Sequence, residues 1–120
     1  MKNKEIGYAG EKIVSDLLEK RGCEILCRNF TIKGGEIDII AKQGDYVLFI
    51  EVKTRKKGSM VSGVEAITTA KKKFIIKTAE EYLYRTGCDL QPRFDVVSVE
   101  LDKDRISDII YIDNAFDLSD

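Results

Sequence analysis

Two apolar segments separated by a glycine-containing turn make up residues 34–55, and they constrain the fold more than any other stretch. β-Branched and aromatic residues fill both segments, which is typical of neighbouring strands. Gln43-Gly44 lies between the segments and predicts a tight turn. A two-residue turn at Gln43-Gly44 pairs Lys42 with Asp45 and sets the register of the whole hairpin. The stretch therefore predicts a buried antiparallel hairpin.

Charged residues interrupt this apolar pattern at four positions: Glu36, Asp38, Glu51 and Lys53. Because strand side chains alternate between faces, the predicted register places Glu36 opposite Glu51. Asp38 then becomes a diagonal neighbour of Glu51, roughly 7–8 Å away at the backbone. A three-residue turn would send Asp38 to the other face. Three acids and a lysine on one face of a buried hairpin are costly unless they are paired or bind a cation.

The chain has 120 residues, which predicts a single domain over residues 1–120. No apolar run approaches the ~20 residues of a membrane span, and the N-terminal residues lack the core of a signal peptide. We therefore expect a cytoplasmic protein with no membrane partner. The three cysteines, Cys23, Cys27 and Cys88, are expected to be reduced and packed in that compartment.

Histidine is absent from the chain, and its absence narrows the available chemistry. Histidine-based triads, general bases and metal sites are excluded. Any acid–base or metal chemistry must therefore use carboxylates, lysine, tyrosine or water.

The formal net charge of −1 hides an uneven distribution of charge along the chain. Residues 95–120 carry eight acids and two bases, whereas residues 1–94 carry 18 bases and 13 acids. We therefore expect a mildly basic body with an acidic tail.

Hydrophobic periodicity predicts two helices and three further strands around the hairpin. A strand–helix–strand crossover within one sheet makes its two strands parallel. The expected fold class is α/β: a five-stranded mixed sheet with flanking helices in the order α-β-β-β-α-β-β. The predicted segments are a helix over 4–21, a strand over 23–32, a flexible basic loop from Thr54 to Ser62, a helix from Ser62 to Thr86 ended by Gly87, strands over 93–99 and 106–113 with the latter at an edge, and a frayed tail over 114–120.

Two charged residues fall on or beside the apolar stripes of the predicted helices. Glu11 lies at the edge of the first stripe, where its carboxylate either reaches water or leans over the sheet toward Asp38. Lys71 projects onto the centre of the second stripe, where its ammonium either extends out of the core or points into the acidic cluster. Sequence alone leaves both pairs of alternatives open.

Two carboxylates about a strand width apart, without histidine or thiolate, suit a hard cation such as Mg²⁺ or Mn²⁺. Asp38 and Glu51 would be its ligands, with the backbone carbonyl of Val52 as a third oxygen. Lys53 would lie beside the ion and stabilise charge that develops on a phosphate. This set of residues suits the hydrolysis of a phosphodiester.

The basic segment Arg55-Lys56-Lys57 follows Lys53 closely and would hold neighbouring phosphates. The spacing of Asp38, Glu51 and Lys53 is by itself a weak pattern, because 34% of the residues are charged. The structural alternative is a solvated hairpin face with glutamate–lysine pairs worth about a few tenths of a kcal/mol each.

Several further motifs lie between residues 4 and 100: Gly10-Glu11, Arg28-Asn29-Phe30, Gly35 to Ile40, Phe49 to Arg55, Lys71, and Arg93 to Val97. Taken together, they resemble the YraN family, small bacterial proteins of the PD-(D/E)xK nuclease superfamily that are related to Holliday-junction resolvases. Ile37 stands before Asp38 where the superfamily label has proline, a position that varies across the superfamily.

The resemblance implies a restriction-endonuclease-like fold in which Asp38, Glu51 and Lys53 are catalytic. Glu11 would be an auxiliary acid that orders the metal or its water, and Glu36 a further auxiliary acid. The candidate nucleic-acid-binding residues are Arg55, Lys56, Lys57 and Lys71.

The resemblance also implies a function, Mg²⁺- or Mn²⁺-dependent endonucleolytic cleavage of DNA. Branched DNA is the candidate substrate, and a homodimer would cut two strands related by a two-fold axis. The same fold is used by proteins that bind nucleic acid without cutting it. The alternative function is therefore a non-catalytic nucleic-acid-binding or assembly module.

Overall fold

The computed structural model describes residues 3–58, 67–103 and 105–117, and side chains from residue 9 onward. The elements follow the predicted order α-β-β-β-α-β-β, which confirms the fold class. Their bounds are α1 Asn3–Lys20, β1 Glu24–Ile32, β2 Gly35–Gln43, β3 Tyr46–Lys56, α2 Thr69–Thr86, β4 Gln91–Asp102 and β5 Arg105–Phe116.

All five strands belong to one mixed sheet in the spatial order β1-β2-β3-β4-β5. β3 and β4 are parallel and the other three pairings are antiparallel, as the crossover through α2 predicted. β5 lies at an edge of the sheet, also as predicted.

Each face of the sheet carries its own apolar core. Val14 and Leu18 of α1 pack on one face, with Leu48 and Ile50 of β3 beneath them. The buried residues of α2 pack on the other face, where the alternate β3 residues point. β2 and β3 are therefore covered on both sides, which explains why their sequences are almost continuously apolar.

The hairpin between β2 and β3 turns one residue later than predicted. Gln43 pairs with Tyr46, and Gly44-Asp45 forms the turn, with Gly44 at φ 57°. A left-handed first turn residue matches the right-handed twist of the flanking strands and favours glycine. The predicted pairing of Lys42 with Asp45 is therefore wrong by two positions. A shift of two preserves the alternation of faces in a regular strand. Continued by one pair, however, the observed register puts Asp38 across from Glu51, where Glu36 was predicted, so the predicted diagonal relation of Asp38 to Glu51 is also wrong.

α2 begins later than predicted. Thr68 is its N-cap, and the Thr68 hydroxyl accepts a hydrogen bond from the Lys71 amide at 3.2 Å. Ile67, predicted within the helix, precedes it and is buried. The predicted cap at Ser62 lies outside the described residues. The predicted stop at Gly87 is confirmed, since Gly87 caps the C-terminus with φ 67°.

Two segments predicted to be irregular extend the strands instead. β3 continues to Lys56 because β4 runs parallel beside it, so that Arg55 and Lys56 lie in a strand and not in a loop. β5 continues to Phe116, which is buried and stacks on Phe94 with ring centroids 5.0 Å apart. Residues 114–116 of the predicted frayed tail therefore belong to the sheet. Residues 118–120 lie outside the described part of the chain.

In the described part of the chain, neither helix is long and apolar enough to cross a membrane. Cys23, Cys27 and Cys88 are free thiols, as predicted.

Candidate functional site

The hairpin opens at Asp38. The ladder between β2 and β3 runs from the turn only as far as the Ile39–Ile50 pair. The Asp38 carboxylate Oδ2 then accepts a hydrogen bond from the Val52 amide at 2.7 Å. A side-chain oxygen thus replaces the backbone partner that Val52 would have in a continued ladder, and Asp38 lies in the gap between the two strands.

An irregularity in β1 accompanies this opening. Asn29 has a left-handed φ of 55° and lies between the Arg28–Ile39 and Phe30–Ile37 pairs. Ile37 and Ile39 should share a face, yet Ile37 packs in the core beneath α2 and Ile39 in the core beneath α1. The regular alternation of faces along β2 therefore breaks between Ile37 and Ile39, at Asp38.

Burial and neighbouring acids make ionisation of this cluster unfavourable. Burial and the Glu51 carboxylate raise the pKa of Asp38 to about 7, against the hydrogen bond from Val52. Burial also raises the pKa of Glu51, although the ammonium groups of Lys71 and Lys53 oppose that rise. Asp38 and Glu51 are thus close enough to repel each other, and their convergence on one ion stays a prediction.

Glu11 of α1 approaches the same cluster. Burial and the charge of Asp38 raise the pKa of Glu11, while Arg28 and Asn29 lower it. The Oε1 atom of Glu11 is buried without a hydrogen-bond partner. Of the two alternatives for Glu11, the structure therefore has the one in which the carboxylate leans toward Asp38. An unpartnered buried oxygen is costly and needs a donor or a cation.

Gly10 makes this approach of α1 possible. A Cβ atom on Gly10 would lie 2.0 Å from the Thr54 Oγ1 atom on β3. Only glycine therefore lets the helix backbone come this close to the strand. Glu11 follows directly and is carried over the open end of the hairpin.

Lys71 enters the cluster from the other face of the sheet. Its Nζ atom lies 3.4 Å from Glu51 Oε1, and its side chain is half exposed. The alternative in which Lys71 points into the acidic cluster is therefore the one observed. Lys53 acts on Glu51 through its charge and forms no ion pair shorter than 4.0 Å with any side chain in the described residues.

Glu36 is exposed at the margin of the cluster. Its charge contributes the smallest of the effects that raise the pKa values of Glu11 and Glu51, and it also raises the pKa of Asp38. Glu36 thus adds to the negative field of the site without being part of its buried centre.

The basic segment after Lys53 is partly neutralised by β4. Arg55 pairs with Glu100 at 2.9 Å, and Lys57 lies 3.8 Å from Asp102. These contacts follow from the parallel pairing of β3 with β4, which places Arg55 beside Glu100. Lys56 is exposed.

The donor set fits a hard divalent cation that keeps some of its water. Within the described ranges, no three aspartate, glutamate or cysteine side chains come together as a ready metal cage. Mg²⁺ is commonly held by one or two carboxylates together with substrate phosphates and water. Asp38 and Glu51 supply two such carboxylates, and the buried free oxygen of Glu11 marks a local deficit of positive charge.

Arg28 and Asn29 lie close to Glu11 and lower its pKa. No individual role was predicted for either residue from the sequence. Asparagine tolerates the left-handed conformation better than most residues, and this tolerance is the signal that could have indicated an irregular strand. Arg28-Asn29 entered only as part of the family resemblance.

The fold and the site define a small α/β protein whose central hairpin opens onto buried carboxylates, with one helix above and one below. The chain belongs to the UPF0102 or YraN family, as its motifs indicated. The family model described as "Uncharacterised protein family UPF0102" matches residues 10–99. That range contains the residues of the cluster: Glu11, Glu36, Asp38, Glu51, Lys53 and Lys71.

Relatives match over almost the whole chain. A UPF0102 protein of Caldicellulosiruptor saccharolyticus is 42% identical over 118 residues, covering 97% of this chain and 100% of the relative. A UPF0102 protein of Dictyoglomus thermophilum is 44% identical with the same coverage of both chains. One of Clostridioides difficile is 41% identical over 117 residues, again 97% of this chain and 100% of the relative.

Proposed function

We propose that the protein is a divalent-cation-dependent endonuclease that hydrolyses DNA phosphodiester bonds. One observation carries the proposal: Asp38 occupies a gap in the sheet with Glu51 and Glu11 around it, and its pKa is about 7. Carboxylates that repel each other at the centre of the sheet lower the stability of the folded state. Such arrangements are concentrated at functional sites.

Asp38 and Glu51 would hold Mg²⁺ or Mn²⁺, with the backbone carbonyl of Val52 as a third oxygen. When bound, the cation would polarise a phosphate oxygen and lower the pKa of a bound water. Glu11 would accept a hydrogen bond from a water molecule through its free Oε1 atom. Lys53 would stabilise the negative charge that develops on the phosphate in the transition state.

The direct test is incubation of the protein with a labelled four-way junction, a fork, a duplex and a single strand, each with Mg²⁺ or Mn²⁺. We expect cleavage by the wild type, and loss of at least about a hundredfold in rate for Asp38→Asn and Lys53→Ala. Lys42→Ala, an exposed lysine near the hairpin turn and away from the cluster, is the matched control. If the wild type binds these DNAs but cleaves none of them with either cation, the enzymatic proposal is wrong.

A non-catalytic nucleic-acid-binding module is the second candidate, and the Lys71–Glu51 ion pair favours it. An ammonium group already neutralises part of the acidic cluster, so the cluster could persist without a metal. Calorimetric titration with Mn²⁺ separates the two candidates. Binding that disappears in Asp38→Asn supports the nuclease, whereas absence of Mn²⁺ binding to the wild type supports the module.

The oligomeric state that would act on branched DNA follows from the geometry of a junction. Symmetric cleavage of a junction needs two active sites related by a two-fold axis, so we propose that a homodimer acts on branched DNA. Light scattering with and without a four-way junction tests this. A complex of one protomer per junction that still makes both cuts would contradict it.

A further inference from the structure

Phe74 is an exposed aromatic residue of α2, close in sequence to the residues by which that helix packs on the core. Helical periodicity predicts that Phe74 belongs to the apolar stripe by which α2 packs on the core. The buried residues of that helix are instead Ile75, Thr78, Ala79 and Tyr82. Phe74 instead lies on the flank of the stripe and is 51% exposed. Half of a large apolar ring is thus left in water, which is costly unless the ring has a partner.

The helix places Phe74 at the margin of the acidic cluster. One turn earlier, Lys71 reaches Glu51. At Phe74 itself, the backbone carbonyl would lie 3.3 Å from a Cβ atom built on Gly35, the residue before Glu36. The start of β2 therefore lies beneath this turn of α2, which is the turn that carries Phe74.

Lysines flank Phe74 along the surface of α2. Residues three apart on a helix are surface neighbours, so Phe74 lies between Lys71 and Lys77. Lys73 is also exposed on this part of the helix, and the first turn of α2 contains no acidic residue. Since Glu100 and Asp102 neutralise Arg55 and Lys57, these lysines of α2 are the main positive surface close to the carboxylates.

We propose that Phe74 stacks on an unpaired nucleobase while the lysines beside it hold the flanking phosphates. The inference rests on the proposed function and narrows its substrate class to DNA with unpaired nucleotides next to the scissile phosphate. Aromatic side chains beside a positively charged track bind single strands in this way, because every base has a face that can stack. Bases inside a duplex are already stacked on each other and offer no face to the ring.

Stacking on one base changes affinity by roughly 5- to 150-fold when the ring is removed. We therefore expect Phe74→Ala to weaken binding of a single strand and of a fork by that factor, and to leave binding of a blunt duplex within about twofold. Phe74→Tyr keeps the ring and should retain wild-type binding. Phe74→Leu keeps an apolar side chain without a ring and should behave like Phe74→Ala.

The experiment is fluorescence anisotropy with a labelled single-stranded oligonucleotide, a fork and a blunt duplex, in Ca²⁺ and again in EDTA. Tyr84→Ala is the matched control, since Tyr84 lies on the same helix and is 85% exposed but is ten residues away from Phe74. It should bind all three DNAs like the wild type. Should Phe74→Ala fail to fold in a thermal melt, the comparison of Phe74→Leu with Phe74→Tyr carries the test.

The outcomes separate this inference from the proposed function. If the wild type binds no DNA of any form, the proposed function fails and the inference with it. If the wild type binds DNA but Phe74→Ala and Phe74→Leu weaken all forms equally, or none, only the stacking inference is wrong. Wild-type binding by Phe74→Leu would also overturn it, because the ring would then be unnecessary.

Discussion

At the scale of single residues, Asp38 shows the conflict between stability and function most directly. Its carboxylate is displaced into a gap between strands, where burial and the charge of Glu51 raise its pKa to about 7. An unfolded chain has no such restraint, and its aspartate would titrate near the ordinary value of 3.8. Between these two values the folded state keeps a proton that the unfolded state has lost. Stability therefore falls as the pH rises through this window.

We expect Asp38→Asn to be more stable than the wild type at pH 8, by about 1–3 kcal/mol. The amide cannot ionise, so it avoids the penalty that the carboxylate meets above its raised pKa. The difference should shrink as the pH falls from 8 toward 4. Urea unfolding at several pH values measures it, with Asp89→Asn, an exposed carboxylate, as the control. A variant less stable than the wild type at every pH would show that the Val52 hydrogen bond outweighs the burial of charge.

Lys71 competes with any metal cation for Glu51. Removing its charge in Lys71→Met should raise the affinity for Mn²⁺ by about two- to fivefold, the range expected from a half-exposed ion pair. Calorimetric titration measures the change, and Lys73→Met on the same helix is the control. Weaker binding of Mn²⁺ by Lys71→Met would mean that Lys71 positions Glu51 for the metal and does not compete with it.

At the scale of elements, the contact between α1 and β3 depends on the absence of one methyl group. Alanine is a better helix former than glycine by about 1 kcal/mol. The Cβ atom of an alanine at position 10 would, however, clash with the Thr54 Oγ1 atom. We expect Gly10→Ala to lose about 1–2 kcal/mol of unfolding free energy, because overpacking a close contact costs more than the helix gains. Chemical denaturation measures the loss.

A second substitution, at Thr54, should remove the clash that Gly10→Ala creates. In Gly10→Ala/Thr54→Ala the space of the hydroxyl is freed, so the double variant should be at least as stable as Thr54→Ala alone. If Gly10→Ala is as stable as the wild type, the helix can move away from the strand without cost, and the close approach is not required.

Asp95 joins β4 to the C-terminal part of β5 and lies beside Ile50 of β3. It is 1% exposed and accepts hydrogen bonds from the Arg93 Nε and Nη2 atoms at 3.0 and 2.9 Å, from the Tyr111 hydroxyl, and from the Asn114 amide at 2.9 Å. β4 and the C-terminal part of β5 are thus fastened by one carboxylate. Burial and the same carboxylate raise the pKa of Tyr111, which keeps the phenol protonated as a donor.

We expect Asp95→Asn to lose about 3 kcal/mol or more, because it leaves the partly buried Arg93 guanidinium without its counter-charge. Lys12→Met breaks an exposed pair with Asp16 and should change stability by less than about 0.5 kcal/mol. Thermal unfolding compares the two. Mn²⁺ affinity should be unchanged in Asp95→Asn, and a large change would show that the hydrogen bonds of Asp95 are coupled to the carboxylate cluster.

At the scale of the whole molecule, the distribution of charge sets how DNA would bind. Acids of β4 neutralise two of the three bases that follow Lys53, which leaves α2 as the principal cationic surface at the site. We expect binding without base-sequence preference and a plot of log affinity against log salt with a slope of about −2 to −4, corresponding to a few phosphate contacts. Anisotropy titrations between about 50 and 200 mM salt measure the slope. Affinity that does not change with salt, or that depends on one base sequence, would contradict this.

Much of the fold follows from local patterns, and the residues show why. Strand periodicity located β1 to β5, and the crossover rule made β3 and β4 parallel. The turn was misplaced by one residue, because Gln43-Gly44 and Gly44-Asp45 are both acceptable turn pairs locally. A register shift of two preserves the alternation of faces in a regular strand, so the error did not separate Asp38 from Glu51.

Sequence by itself determined the order of the elements, the parallel crossover and the set of carboxylates available to a site, since these depend on periodicity and residue type along one chain. Only the tertiary structure decided that the Asp38 carboxylate accepts a hydrogen bond from the Val52 amide and that Lys71 pairs with Glu51. It also decided that Arg55 pairs with Glu100 and that Phe74 is exposed. Each of these depends on which element lies beside another, and the contacts across elements set burial and charge in a way that no local pattern contains.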